Sequence, residues 1–482
     1  MKKNLKRLAA VGIGAAMSVG MLSGCGNSGS SNTESLKDGS AAEASARQDE
    51  EGGKIELTAW VRASSKENSQ KVTFDEFNES QDKIHVTVES YGDNYSEVLK
   101  LAFNSGDAPD IFSIAGIDLK SYVDAGLVSP MDEFLTEEYK SQFMPSAFEV
   151  YKYSDQVYAI PDMTRFIRLF YNKDLFSSAG LNPDTPPATL EEMFDMAQKI
   201  TEAGSGAYYG FGFPIKSGST WERNVDDIAI LSGLTGPCGF DYTTGRFDFA
   251  KQKPILDYFG RMYKEGVLMP GSESIDIEML RANFAAGKVA MYFDGNWMIN
   301  GFNNEIEGGK DANWETALVP VFEGQERAKD YLMLDSGVAI TEGCEQKAAA
   351  FEAIEFYLHN YYTAPAKRNP DVVLPSSSLI PADNEAVNSK PEVQALKGMK
   401  GIMEGEDQLS AFPVIPSTVL TLEGDDRNAV YPLIVIQGDS MDVEGELNKL
   451  SDTYNAALDK ALAEGILTGE GIRPAGFDYF TR

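Results

Sequence analysis

The sequence predicts an α/β fold that is divided between two domains. In the first part of the chain, segments in which every second residue is apolar alternate with segments in which apolar residues recur at helical spacing. A second α/β pattern starts near Phe166. Beyond the amino-terminal region roughly 430 residues remain, which is more than a single hydrophobic core usually accommodates. These observations together favour two α/β domains.

The first domain is predicted to contain an open and mainly parallel sheet. Its elements are, in order, a strand at 55–60, a helix near 72–77, a strand at 84–88, a helix at 95–102 and a strand at 111–114. A β-α-β-α-β order of this kind places helices on the faces of a parallel sheet. Ligands of such sheets bind outside the carboxyl ends of the strands. Those ends are here 60–62, 91–92 and 113–116.

The second pattern begins with alternating apolar residues over 167–171. A helix follows, and Thr189 and Glu192 have the spacing of a capping box at its start. Near the carboxyl terminus, apolar residues at helical spacing over 447–462 predict a long amphipathic helix.

The amino terminus predicts export and a lipid anchor. Basic residues at positions 2–7 precede an apolar stretch over 8–22, which is short for a membrane span but suits a signal peptide. The stretch ends in Leu-Ser-Gly-Cys, which resembles a bacterial lipobox with Cys25 as the acylated residue. We therefore expect a signal peptide at 1–25 and a disordered tether at 26–54, whose low-complexity composition cannot form a core. The expected location is the extracellular face of the cell membrane.

Charge and cysteine content argue against a nucleic-acid-binding protein and against a disulfide-stabilised fold. The chain carries 74 acidic and 42 basic residues, a net charge of -32. Nucleic-acid binding requires a basic face, so this balance argues against it. Once Cys25 is acylated, only Cys238 and Cys344 remain, which allows one disulfide but no disulfide framework.

Five segments in the body resemble one protein family. They are "SGDAPDIF" (105–112), "VYAIPDMTRFIRLFYNKDLFSSAGL" (157–181), "PPATLEEMFDMAQKI" (186–200), "FAAGKVAMYFDGNW" (284–297) and "GVAITEGCEQKAAAFEAIEFYL" (337–358). In this order they resemble the extracellular solute-binding proteins of bacterial ABC importers, in the sugar-binding group that includes the maltose-binding protein. The resemblance covers the chain from about residue 55 to 360.

The resemblance implies a periplasmic-binding-protein-like fold of two α/β lobes, with a hinge and a ligand cleft between the lobes. It places lobe 1 at 55–162 plus 320–365 and lobe 2 at 163–319 plus 366–482. It also implies a carbohydrate ligand, a mono- or oligosaccharide, and a membrane permease as partner. A monomer without a cofactor or a metal is expected, and domain closure around the ligand is the expected motion.

The resemblance also suggests which residues bind the ligand. Trp297 follows a predicted strand in the turn "DGNW", where a flat indole suits the apolar face of a pyranose. Asp294 in the same turn can accept hydrogen bonds from sugar hydroxyls. The remaining candidates are Arg165 and Asp162 at the first crossing between lobes, Arg62 at a strand end, and Trp221 in the polar loop "KSGSTWERN". For Trp297 the alternative is core packing, and for Arg165 and Asp162 it is an interlobe salt bridge.

No catalytic motif is evident in the sequence. The chain has two histidines, His85 and His359, and neither stands in a metal-binding or nucleophile-activating pattern. The enzyme class that stays open is a secreted, lipid-anchored glycoside hydrolase, because two carboxylates suffice for that reaction. We expect a binding protein rather than an enzyme, since the lipobox and the order of the segments both favour solute capture.

Overall fold

The computed structural model describes residues 53–481, except for 63–67, 93, 116–118, 145–146, 149, 154, 335, 406–408 and 413–414. The predicted signal peptide, Cys25 and nearly all of the predicted tether lie outside the described residues. Within the described part, no helix combines the length and apolar character needed to cross a membrane.

The strands form two main sheets and three short two-stranded pairs in the described part of the chain. In chain order the strands are β1 (Ile55–Arg62), β2 (Ile84–Tyr91), β3 (Ile111–Ala115), β4 (Lys152–Tyr153), β5 (Gln156–Val157), β6 (Ala159–Pro161), β7 (Ile167–Asn172), β8 (Tyr209–Phe211), β9 (Phe240–Asp241), β10 (Arg246–Phe247), β11 (Val289–Gly295), β12 (Trp314–Ala317), β13 (Asp330–Tyr331), β14 (Ser336–Ile340) and β15 (Leu409–Ser410).

The helices cover these sheets. In chain order they are α1 (Ser69–Ser80), α2 (Tyr95–Ser105), α3 (Leu119–Asp124), α4 (Glu137–Lys140), α5 (Lys173–Ser178), α6 (Leu190–Gly204), α7 (Ser219–Trp221), α8 (Asp227–Leu231), α9 (Lys253–Lys264), α10 (Ile277–Ala285), α11 (Met298–Asn300), α12 (Lys347–Asn360), α13 (Ala364–Arg368), α14 (Pro381–Asn388), α15 (Pro391–Gln394), α16 (Met399–Glu404), α17 (Arg427–Gln437), α18 (Val443–Ala463) and α19 (Gly469–Ile472). Single π-turns follow α7 and α11.

The first sheet has the strand order β2-β1-β3-β14-β6. β1 is parallel to both β2 and β3, as the β-α-β-α-β pattern predicts. β14 returns late in the chain and is antiparallel to β3 and β6. We call the part of the molecule built on this sheet the first lobe.

The second sheet has the order β12-β7-β11-β8 and forms the second lobe. β7 and β11 are antiparallel and every residue of both strands is buried, because helices cover both faces. The predicted capping box of α6 is confirmed, since Thr189 Oγ1 accepts from the backbone N–H of Glu192 and the Glu192 carboxylate accepts from that of Thr189. The predicted long carboxyl-terminal helix is α18, which packs on the core of this lobe.

The chain passes between the sheets over 162–166, immediately after β6 and before β7. A second crossing segment runs beside it: Arg165 N donates to Met333 O at 3.2 Å, and Met333 N donates to Arg165 O at 2.8 Å. These paired segments form the hinge.

The return to the first lobe lies later than residue 320, where the sequence places it. Val321 still pairs with Thr189, and Ala328 N donates to Leu231 O at 2.8 Å, so both residues belong with the second lobe. The chain rejoins the first sheet at Ser336, the first residue of β14. The proline at 320 therefore lies shortly after β12 of the second sheet, in a segment that has not yet left that lobe.

The third crossing is also later than its predicted position after residue 365. α13 packs on α1 of the first lobe, where Arg368 pairs with Glu79 at 2.7 Å. Met144 N donates to Leu379 O at 2.9 Å, and Leu379 belongs to the core of the first lobe. Buried residues from Val387 onward join the second lobe.

Candidate functional site

A cleft of about 1130 Å³ is lined by residues of both lobes. The first lobe contributes residues at or just after the ends of β1, β2 and β3, and the second contributes residues that follow β11. This agrees with the rule that ligands bind outside the carboxyl ends of strands in open α/β sheets. Of the predicted site residues, Arg62, Arg165 and Trp297 line this cleft.

Trp297 is held by the turn that follows β11. Its indole lies so close to Gly295 that a β-carbon on Gly295 would stand 1.9 Å from Cζ3 of the ring. Only glycine leaves room for this packing. The Trp297 side chain is partly buried and lines the cleft, so the turn presents part of the ring to a ligand.

Two guanidinium groups lie over the indole of Trp297. Arg165 Cζ is 4.3 Å from the ring centroid and Arg223 Cζ is 5.7 Å from it. Cations at these distances are attracted by the negative faces of an aromatic ring. The site therefore presents an arginine–tryptophan stack rather than a bare ring.

Asp294 does not line the cleft, contrary to the prediction. It is fully buried, and its Oδ2 accepts from Nε of Arg281 at 2.8 Å while its Oδ1 accepts from Nη2 of Arg281 at 3.0 Å. The Oδ1 atom also accepts from the backbone N–H of Gly295 at 2.9 Å and lies 3.2 Å from Nε of Arg223. Both carboxylate oxygens are engaged within the protein, so the residue fixes the turn that carries Trp297.

Trp221 does not line the cleft either. Its side chain is 1% exposed and packs edge-on against Phe213 and Tyr431, with ring centroids 5.6 Å and 5.3 Å apart. Although the surrounding loop is polar, the π-turn after α7 belongs to the wall of the second lobe and the indole points into its core. Arg223, two residues later, reaches Trp297 instead.

Asp162 lies within the hinge and is buried away from the cleft lining. Its Oδ2 accepts from the Tyr357 hydroxyl at 3.1 Å, and its backbone N–H donates to Ser336 O at 3.2 Å. Burial raises the pKa of the Asp162 carboxyl above its ordinary value, because the charged form loses its hydration. Gln70, which lines the cleft, donates to the same hydroxyl at 3.4 Å. Asp162 is thus a structural residue of the hinge, and the Tyr357 hydroxyl connects it to Gln70 in the cleft lining.

Arg62 ends β1 and extends into the cleft from the first lobe. Its backbone N–H donates to Ser113 Oγ on the neighbouring strand end at 3.4 Å. Its side chain is exposed, and among the described residues none forms an ion pair with its guanidinium. This cation is therefore available to a ligand.

Asn296 is a site residue that the sequence analysis missed. Its Oδ1 accepts from Phe166 N at 3.1 Å, while its Nδ2 donates to Thr164 O at 3.0 Å and to Ser377 Oγ at 2.7 Å. Asn296 thereby joins the turn that carries Trp297 to the hinge segment 162–166 and to the segment of Ser377. The local signal for Asn296 is a polar amide between a glycine and a tryptophan. This signal does not identify the hydrogen-bond partners of Asn296, which are distant in sequence.

The described residues offer no evident centre for chemistry at the cleft. They contain no cluster of three or more metal-ligating side chains, and neither histidine lines the cleft. The disulfide that the sequence allowed is not formed, because Cys238 and Cys344 are free and lie in the cores of different lobes. What the cleft offers is hydrogen-bonding and stacking groups on two facing walls.

Comparison with known proteins gives a consistent result. Residues 62–360 match the model of the bacterial extracellular solute-binding protein family. The maltotriose-binding protein of Pyrococcus abyssi is 23% identical over 266 residues, which is 54% of this chain and 53% of that protein. The sn-glycerol-3-phosphate-binding periplasmic protein of Brucella abortus is 31% identical over 269 residues, or 52% of this chain and 58% of that protein. The chain thus matches somewhat more than half the length of these relatives.

Solved structures show the same fold. An ABC substrate-binding protein of Listeria monocytogenes in complex with cycloalternan superimposes with a TM-score of 0.65 at 17% identity, covering 84% of this chain and all of the other. A solute-binding protein of Thermotoga lettingae bound to α-D-tagatose gives a TM-score of 0.64 at 22% identity, also over 84% of this chain. This likeness establishes the two-lobe α/β fold. Since the family model matches more than half of the chain, the protein belongs to the bacterial extracellular solute-binding proteins.

Proposed function

We propose that this protein is the membrane-anchored substrate-binding component of an ABC importer and captures a carbohydrate between its two lobes. The observation that carries the proposal is the cleft itself, in which Arg62 of the first lobe and Trp297 of the second line one cavity. Family membership supports solute capture. The names of relatives support the ligand class, since they include binders of maltotriose and of tagatose.

Capture depends on groups from both lobes. Arg62, Arg165 and Trp297 are the proposed direct contacts, because each lines the cleft. Asp294 supports this surface by fixing the turn of Trp297. A ligand that touches both walls is bound more tightly when the lobes are closed, and closure is favoured only by that difference in affinity.

Delivery requires a permease and a location beside it. In this proposal Cys25 carries the lipid anchor, the tether holds a monomeric body at the extracellular face, and the closed form is the one that the membrane subunits recognise. Replacement of Cys25 by Ala should release the protein into the medium. Continued membrane retention of Cys25→Ala would contradict the proposed anchor, without bearing on ligand capture.

The ligand class is tested by thermal-shift screening of the purified full chain against a panel of mono- and oligosaccharides. A true ligand should raise the melting temperature, because it binds only the folded state; at 100 times the dissociation constant the added stability is about 2.7 kcal/mol. Trp297→Ala should abolish the shift. Trp60→Ala is the matched control, since Trp60 is partly buried but does not line the cleft. A panel without any shift would contradict carbohydrate capture.

A further inference from the structure

The lining of the cleft carries an excess of arginine. Among its described residues four are arginines and two are glutamates, namely Arg62, Arg165, Arg281 and Arg368 against Glu278 and Glu305. The whole chain has the opposite balance, with 42 basic and 74 acidic residues. A generally basic surface therefore cannot explain why cations gather here.

Not all of these arginines are available to a ligand. Arg281 is neutralised by the buried Asp294, and its Nη1 donates to Glu278 at 2.6 Å. Arg368 pairs with acidic residues of α1. Arg62 differs from both, because its exposed guanidinium has no ion pair with any residue in the described part of the chain. The cation that the cleft offers to a ligand thus comes first from the end of β1.

The carboxylates on the same surface are already engaged within the protein. A neutral sugar donates hydroxyl protons, which carboxylates, amide oxygens and hydroxyl oxygens can accept. In this cleft Glu278 already accepts from Arg281, and Glu305 accepts from Asn300 Nδ2 at 2.7 Å. Asp294 is fully buried and engaged. The charged groups of the described lining therefore favour an anion, because both glutamates are engaged within the protein while Arg62 is not paired, whereas the amide and hydroxyl groups of the lining can serve either kind of ligand.

The contact between Arg165 and Trp297 adds a second cation to this lining. Arg165 covers the indole with its guanidinium at 4.3 Å, and Gly295 lies directly against the same ring. A guanidinium that stacks on an aromatic face keeps its N–H donors in its own plane, in a fork that matches a carboxylate or a phosphate. In this arrangement Arg165 adds its positive charge beside the indole, in a cleft that both residues line.

We infer that the carbohydrate captured here carries an anionic group, either the carboxylate of a uronic acid or a phosphate ester, which is held by Arg62 of the first lobe and by the Arg165–Trp297 stack at the hinge side of the second. This inference rests on the proposed function and narrows its ligand class. An anion held from both walls would also draw the lobes together, because each lobe then contributes one of its cationic partners.

The test uses paired ligands that differ in charge. Calorimetric titration of the purified full chain compares digalacturonate with neutral galactobiose, and glucose 6-phosphate with glucose, so the two pairs separate a carboxylate from a phosphate. The acidic member of at least one pair should bind tenfold or more tightly than its neutral partner, since a hydrogen bond to a charged group is worth about tenfold or more. Equal or tighter binding of the neutral members would overturn the inference while leaving carbohydrate capture intact.

Two arginine variants test whether the preference for an acidic ligand arises in the cleft. Arg62→Gln should weaken the acidic ligand on the order of tenfold or more and the neutral ligand by a clearly smaller factor. Arg246→Gln is the matched control, because Arg246 is a partly exposed arginine outside the cleft that pairs with Asp459. Equal losses for acidic and neutral ligands in Arg62→Gln would overturn the inference, since the arginine would then serve only hydroxyls. Absence of binding by all four ligands would also overturn it, whereas the wider panel above separately tests carbohydrate capture.

Discussion

The indole of Trp297 lies against Gly295 with no space for a methyl group between them: a β-carbon on Gly295 would stand 1.9 Å from Cζ3 and 2.0 Å from Cη2. Gly295→Ala must therefore displace the ring from the cleft wall. We expect ligand affinity to fall on the order of tenfold or more while the protein stays folded, because a displaced platform loses its aligned contacts. Calorimetric titration with the ligand found in the panel measures this loss.

Gly343→Ala provides the control for this substitution. Its β-carbon would meet only Thr341 Cγ2 at 4.0 Å, and Gly343 does not line the cleft. This variant should bind as the unmodified protein does. If Gly295→Ala also keeps full affinity, Trp297 is not part of the binding surface.

Asp294 is expected to be important for stability. Asp294→Asn leaves Arg281 and Arg223 without their shared carboxylate in a buried setting, and breaking a buried ion pair in this way costs about 3–5 kcal/mol. Asp257→Asn breaks the exposed pair with Lys253 and should cost less than about 1 kcal/mol. Denaturant unfolding of both variants compares them. Similar stabilities of the two variants would show that the Asp294 network does not hold the turn.

Asn296 should stabilise the hinge. Asn296→Ala removes the partners of Phe166 N and Thr164 O at a site where only 4% of Asn296 is exposed, and each unsatisfied buried group costs about 1–3 kcal/mol. Ser377→Ala removes a single bond to the same amide and should cost clearly less. Melting temperatures of both variants test this order, and the reverse order would contradict the assigned role.

Asp162 should destabilise the protein at neutral pH. Burial raises the pKa of its carboxyl, so this group stabilises the fold while it is protonated, below its unfolded pKa, and that contribution is lost as the pH rises through the folded pKa. Asp162→Asn keeps an acceptor for the Tyr357 hydroxyl but carries no charge. The variant should be more stable near pH 7.5, by about 1.4 kcal/mol for each unit of pKa shift.

The stabilities of Asp162→Asn and of the unmodified protein should also be compared near pH 4. There the advantage of Asp162→Asn should shrink, because a larger share of the native carboxyl is then protonated and neutral. Urea unfolding at both pH values measures the difference. An advantage that does not change with pH, or a loss of stability at pH 7.5, would show that the raised pKa does not govern this position.

Local patterns were sufficient for much of the fold. The alternation at 55–60 and 84–88 identified β1 and β2, and the pairing of Thr189 with Glu192 located the start of α6, because these signals depend on neighbours within one turn or one strand. The position of Trp297 just after a strand end correctly placed it at the cleft.

Long-range partners decided what the patterns could not. Asp294 looked accessible in its turn, but the Arg281 side chain that occupies it comes from 13 residues earlier, and Arg223 comes from a different element. Trp221 stands in a polar loop, yet Tyr431 from α17 covers it. The return crossing was misplaced because residues after Pro320 stay on the second lobe through single backbone contacts, which leave no periodic signal.

Capture without chemical change is tested most directly by incubating the purified full chain with the ligand that raises its melting temperature, then recovering and weighing that ligand by mass spectrometry. A reversible binding protein should return it intact at every incubation time, while the melting temperature rises with ligand concentration as mass action requires. Cleavage products that accumulate with time, and that disappear when the protein is omitted, would contradict solute capture and indicate a hydrolase instead.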